Sequence, residues 1–289
     1  MGSVALPGRR YFMPAAPSPF LRWSATTATV MVLALIVIGG FAQALGAAGW
    51  RQFEHIWAMA AGAAVLAMFV EALWEAKDQP LVFRGASASL VLALLQGWLG
   101  TWAAPPGLGH ALALLDMVLA LALLAALVFT AFHARGACPR CAGIQPSLRR
   151  QLSLAAWIVL ALTVCQMLAG TEVRTSIDAV AGHRPDLGRG EWIRLAGWVD
   201  PLHRIFSLTV LAAALWSFVL AWKWMPPLRR QASAILALVL AEFLLGISLA
   251  HFGLPPASQV LHLGVAACLA AAVFRLLLDL WPWPRPPVA

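Results

Sequence analysis

The sequence predicts an all-α integral membrane protein, with eight transmembrane helices arranged as two tandem four-helix bundles. Three observations lead there. Of the 289 residues, 62% are hydrophobic and 11% are charged, against roughly 25% charged in a soluble domain. Eight apolar runs are each long enough to span a bilayer, because about 20 residues at about 1.5 Å each cross a hydrocarbon core of about 30 Å. Features of the first four runs recur in the last four at a nearly constant offset, as a duplicated unit would give.

In chain order the spans are expected at 25–46, 53–74, 82–103, 109–132, 152–172, 202–224, 232–251 and 259–280. Backbone facing lipid has no water to satisfy its polar groups, so these runs must be helices. The first contains "AQA", which resembles a signal-peptidase site; its long hydrophobic stretch and proline-rich leader make it a retained span. Proline and charge end the helices at "KDQP", "APPG", "GACPRCAGIQPSLRRQ", "KWMPPLRRQ" and "GLPPAS". The longest outer connection is expected over 173–201, where "GEWIRLAGWVDP" can form a short interfacial helix. The two units are expected at 1–140 and 150–289.

The net charge of +8 reads as a topology signal, not as a nucleic-acid patch, because the basic residues fall in short connections. One side holds fourteen Lys and Arg, among them Arg22, Lys77, Arg135, Arg149, Arg150, Arg229 and Arg230. The other holds six: Arg51, Arg174, Arg184, Arg189, Arg194 and Arg204. The richer side is cytoplasmic by the positive-inside rule, which puts both termini there and the chain, as a multi-pass protein, in the inner (plasma) membrane. Cys165 and Cys268 lie inside apolar runs and are expected to pack. Cys138 and Cys141 form a lone CxxC, compatible with half a metal site or a redox pair but without a second pair of ligands.

Seven histidines are present. His55, His110, His203 and His262 each lie in the first few residues of an even-numbered span, so all four share one depth near the outer face. "QGWLG" (Gln96 to Gly100) parallels "EFLLG" (Glu242 to Gly246), each before a Pro-Pro pair and then a histidine, and "QMLAG" (Gln166 to Gly170) echoes both. One such histidine could be packing or a proton relay. Four in a repeated arrangement suit a metal, and two imidazoles on facing helices suit a haem iron, with the macrocycle between helices and its propionates at the interface. In the second half, Arg204 and Arg194 could pair with propionates. His133, His183 and His251 read as interfacial.

Eight spans in two halves, a histidine heading each even span and the QxxLG-type element before it resemble the haem A synthase family. The second half carries the closest match, in "QMLAGTEVRTSID", "DPLHRIFSLTV" and "EFLLGISLAHFGLPPASQVLHLGVAA". The resemblance implies a membrane oxidoreductase of haem biosynthesis and cytochrome oxidase assembly, which oxidises a ring methyl of haem O to the formyl group of haem A. It implies that His203 and His262 ligate the iron of a haem b cofactor, and that His55 and His110 flank the haem substrate as catalytic and metal-ligating residues. The implied partners are haem O, membrane lipid, an electron donor, haem O synthase and a second copy of the chain.

The first half departs from the family pattern. The family usually has a sizeable first outer loop, often with a cysteine pair, and a glutamate three residues before the first histidine. Here "GAAGWRQ" is short and has no cysteine, position 52 is Gln52, and Ile56 stands where an arginine usually follows. Glu54, directly before His55, is the candidate catalytic acid, although adjacent helix positions point about 100° apart. These departures motivate an alternative: a b-type haem-binding membrane protein without synthase activity, serving as electron carrier or haem-handling factor. A secondary transporter is a third class, disfavoured because the prolines cluster at span ends.

Overall fold

The computed structural model describes residues 16–45, 48–101, 108–136 and 145–281. Cys138 and Cys141 therefore lie outside the described residues. Among those residues the regular elements are all helical: α1 (Pro19–Leu45), α2 (Ala48–Trp74), α3 (Pro80–Gly100), α4 (Gly109–Ala134), α5 (Pro146–His183), α6 (Arg189–Leu195), α7 (Val199–Trp224), α8 (Arg229–His251) and α9 (Pro256–Leu280), with a 3-10 turn at Pro226–Leu228 before α8. All but α6 belong to the eight segments long and apolar enough to cross a membrane. Proline opens α3, α5 and α9, where its missing N–H costs nothing. At α1, Ser18 Oγ accepts the Leu21 N–H at 3.1 Å, and the Ser18 N–H reaches the Glu75 carboxylate at 3.3–3.4 Å, tying the start of α1 to the end of α2.

The helices pack as two rings of four. In the first, α1 meets α2, α2 meets α3, α3 meets α4 and α4 returns to α1. In the second, α5 meets α7, α7 meets α8, α8 meets α9 and α9 returns to α5. In each ring the two histidine-bearing helices, α2 with α4 and α7 with α9, are diagonal across the centre. Contacts of α9 with α1 and of α4 with α5 join the rings, with α4 against α9 between them. This is the pattern a two-fold relation between the halves would produce.

Lipid tails are as apolar as leucine, so close packing rather than water exclusion must hold these helices together. The buried residues are accordingly rich in alanine: Ala25, Ala28, Ala61, Ala72 and Ala86 in the first ring; Ala156, Ala213, Ala214, Ala221 and Ala232 in the second. At Gly85 a Cβ would stand 2.5 Å from Thr130 Oγ1, and at Gly264 it would stand 2.9 Å from Val37. These are the points where α3 meets α4 and α9 meets α1 with no room for a side chain. Large apolar residues such as Leu66, Leu94, Val219 and Leu244 remain exposed on the surface, as lipid contact permits.

One expectation is corrected. The fifth helix does not stop at 172 but continues to His183, so the connection over 173–201 begins as helix. Hydropathy ends where the apolar residues end, whereas a helix emerging into water needs only favourable backbone and local pairs. Arg174 and Asp178 approach to 3.6 Å one turn apart, and His183 Nδ1 lies 2.8 Å from the Ala179 carbonyl. At about 1.5 Å per residue, 38 residues make a rod of roughly 57 Å, well beyond the bilayer core. The expected short helix in "GEWIRLAGWVDP" forms as α6, and its Ile193 packs with Ile177 of α5 beside Leu254.

Candidate functional site

Each helix buries a stripe of residues three or four apart, and what lies at the histidine end of that stripe faces the interior of its ring. On α7 the stripe runs Val210, Ala214, Ser217 and Ala221, and His203 stands two turns before Val210. On α9 it runs Ala266, Leu269, Val273, Leu276 and Leu280, and His262 stands two turns before Leu269. Both imidazoles therefore continue a buried face inward. Their ring centres are 6.1 Å apart, with planes inclined at 79°.

Every helix of the second ring supplies a polar residue at this level. His203 Nδ1 lies 3.2 Å from the Gln166 carbonyl of α5, and a backbone oxygen can only accept, so Nδ1 carries the proton. Gln166 is itself fixed, since its Nε2 donates to Ser207 Oγ at 2.8 Å. His262 Nδ1 lies 2.7 Å from Glu242 Oε2 of α8, off the best hydrogen-bonding line. Glycine makes room for the His203 ring, since a Cβ on Gly170 would come within 3.2 Å of its Cε1, whereas one on Gly246 would meet His262 Cε1 at an ordinary contact of 3.8 Å. Arg204 is engaged by Asp200, Nη2 to Oδ2 at 2.9 Å and Nε to Oδ2 at 3.0 Å.

The first ring is arranged differently. The buried stripe of α2 is Ala61, Val65, Met68 and Ala72, and the residue two turns before Ala61 is Glu54. His55 is turned about 100° away, is exposed, and has no hydrogen bond, ion pair or ring contact among the described residues. Glu54 is partly buried and lies over α1, its Oε1 3.0 Å from where a Cβ of Gly39 would be. On α4 the first-ring stripe of Leu123 and Leu127 leads to Asp116, which accepts a hydrogen bond from Gln96 at 3.3 Å. His110 instead heads the face of Met117 and Leu121 that packs against Met167 of α5. Its Nδ1 lies 2.9 Å from both Glu172 Oε2 and Thr175 Oγ1. The structure thus brings His203 and His262 together and does not bring His55 into contact with His110.

Glu242, Glu172 and the Gln166 carbonyl were not singled out as site residues from the sequence. The repeated QxxLG-type element marked positions 166 and 242 without saying what they touch. Glu172 carried no signal of its own, because its partner is 62 residues away on the other ring.

The geometry can be tested against a haem. Among the described residues no three or more His, Cys, Asp or Glu side chains converge as a metal site, so a metal held by His203 and His262 must bring its remaining ligands, as iron in a porphyrin does. Two metal–imidazole bonds of about 2.0 Å, with about 1.2 Å from each nitrogen to its ring centre, put the centres roughly 6.3 Å apart. The observed 6.1 Å agrees. Ligating histidines characteristically hand their second N–H to a carbonyl or carboxylate, which leaves Nε2 free for the metal. Gln166 and Glu242 are placed for those two roles, so the residues of the second ring fit the group.

Comparison with known proteins bears on this geometry. A heme A synthase from Mesorhizobium japonicum (strain LMG 29417 / CECT 9101 / MAFF 303099) is 27% identical over 226 residues, 68% of this chain. The matched region spans 60% of that relative's length. The model of the COX15-CtaA family, described as cytochrome oxidase assembly protein, matches residues 48–274. That match runs from α2 into α9, across both rings of helices, and the chain belongs to this cytochrome oxidase assembly family.

Proposed function

We propose that the protein is a haem A synthase-like oxidoreductase that converts the ring methyl of haem O to the formyl group of haem A. The observation that carries the reading is the His203–His262 pair, at 6.1 Å with both Nδ1 atoms beside oxygen acceptors. Family membership and the activity named for the Mesorhizobium japonicum relative support it.

On this reading the unit of 150–289 holds a haem b through His203 and His262, while the unit of 1–140 receives the substrate near His55, His110 and Glu54. Bound haem iron supplies the oxidising chemistry that no side chain offers for an unactivated methyl. The chain's own residues bind and orient. The Gln166 carbonyl accepts the His203 N–H, the Glu242 carboxyl stands 2.7 Å from His262 Nδ1, and Gly170 leaves space for the His203 ring. Arg204 is exposed enough to exchange Asp200 for a propionate. Glu172 and Thr175 fix His110 from α5, the helix that also supports His203, so one rigid element touches both units. Both termini lie in the cytoplasm and the histidine end faces outward, which the fourteen-to-six distribution of basic residues supports.

A second reading is favoured by one observation. The first-ring histidines do not face each other, and His110 is held by Glu172. A b-type haem protein that carries electrons or handles haem, without synthase activity, would need only the second ring. Co-expression in a host that makes haem O, followed by mass identification of the co-purifying porphyrins, separates the two. Haem A in wild type, lost in Glu54→Gln, supports the synthase. Haem b alone in every sample refutes it and leaves the carrier.

A further inference from the structure

The two imidazoles of the second ring are not held alike. His203 gives its Nδ1 proton to a neutral backbone carbonyl at 3.2 Å. His262 has a carboxyl group at 2.7 Å. Glu242 sits on the buried stripe of α8 with Ala232, Ile235 and Val239, is only 7% exposed, and its Oε1 has no hydrogen-bond partner among the described residues. A carboxyl group placed this deep is costly unless something uses it. The corresponding residue of the first ring is Gln96, which reaches Asp116 and no histidine. The third copy of the element offers its main-chain oxygen, at Gln166, and keeps its side chain on Ser207. Only where the element carries Glu does a side-chain oxygen of it stand beside an imidazole.

From this we infer that Glu242 is a positioning residue that sets the tautomer and donor strength of His262, and through them the reduction potential of the group bound between His203 and His262. This rests on the haem reading above. A carboxyl oxygen 2.7 Å from Nδ1 holds the ring with Nε2 left for the bound group and makes it a stronger donor. A stronger donor favours ferric over ferrous iron, so the Glu242 contact lowers the potential, one of the few means by which a protein tunes haem. Gln166 does the same for His203 more weakly, because its oxygen carries no formal charge. The ligand pair is therefore graded, with His262 the stronger donor.

The test is a redox titration of the purified full-length protein with its co-purified haem, comparing wild type, Glu242→Gln and Glu242→Asp. In Glu242→Gln the haem is retained and the ferric-to-ferrous ratio at fixed ambient potential falls about tenfold, a rise of about 59 mV for a one-electron couple. Glu242→Asp keeps a carboxyl and stays near wild type. An unchanged potential in Glu242→Gln with haem retained overturns the inference and leaves the haem reading standing. Should Glu242→Gln lose haem, Glu242→Asp decides: haem bound at the wild-type potential supports the role, and loss from both folded variants assigns Glu242 to packing. Wild type without haem defeats the haem reading itself, a result distinct from any of these.

Discussion

In the second ring, His203 and His262 continue the buried stripes of α7 and α9 toward each other; in the first, that place on α2 is held by Glu54, while His110 leans across the seam to Glu172. The helix plan is the same. What differs is one residue of register on α2, about 100° around the helix, and the choice of face on α4. A duplicated scaffold can thus keep its packing and change its chemistry, because stripes of alanine and leucine tolerate a polar exchange at the end where the bundle opens. The carboxyl groups divide likewise. Buried Glu242 backs an interior imidazole in the second ring, while partly buried Glu54 and exposed Asp116 stand at the ends of the stripes in the first.

The largest effect should come from the histidines. His203→Ala or His262→Ala is expected to lower the haem b-to-protein ratio at least tenfold, whereas His55→Ala leaves that ratio unchanged; an equal loss from both would erase the distinction between the rings. Gly170→Val should come next. Its branched side chain must displace the His203 ring, at about 0.5–1.5 kcal/mol for an off-rotamer imidazole, so haem affinity falls up to about tenfold. Gly100→Val, where a Cβ meets nothing within 4 Å, is the control that should bind normally.

Gly85→Val acts on the first ring alone, forcing α3 from Thr130. It should destabilise by about 1–3 kcal/mol, visible in thermal unfolding in detergent, with the second-ring haem spectrum intact. Glu172→Gln should have the smallest effect on stability, below about 1 kcal/mol, because both partners are substantially exposed. Its consequence should appear in haem A formation, measured against an unchanged thermal midpoint. A loss of stability that matched the loss of product would make the His110 contact merely structural.

The eight spans were legible because lipid imposes length and composition together, and the QxxLG-type repeat located the level at which polar residues meet. The end of α5 was not legible, since beyond the apolar run nothing in "TEVRTSIDAVAGH" breaks a helix before Arg184. Nor was the exchange between Glu54 and His55. Both begin the same helix, and only packing against Gly39 of α1 shows which faces inward. The His110–Glu172 contact joins helices of different rings, a relation that periodicity within one helix does not carry. Arg204, expected to meet a propionate, pairs with Asp200 one turn away on α7, an i,i+4 spacing that was present in the sequence and available to be read.

The central claim is that His203 and His262 clamp one iron porphyrin between them. Electron paramagnetic resonance of the oxidised, purified protein tests it most directly. A haem held between these two imidazoles, whose planes are inclined at 79°, would give a low-spin ferric signal with large g anisotropy, lost in His203→Ala and in His262→Ala. No low-spin signal in wild type, or one that survives both substitutions, would contradict the account.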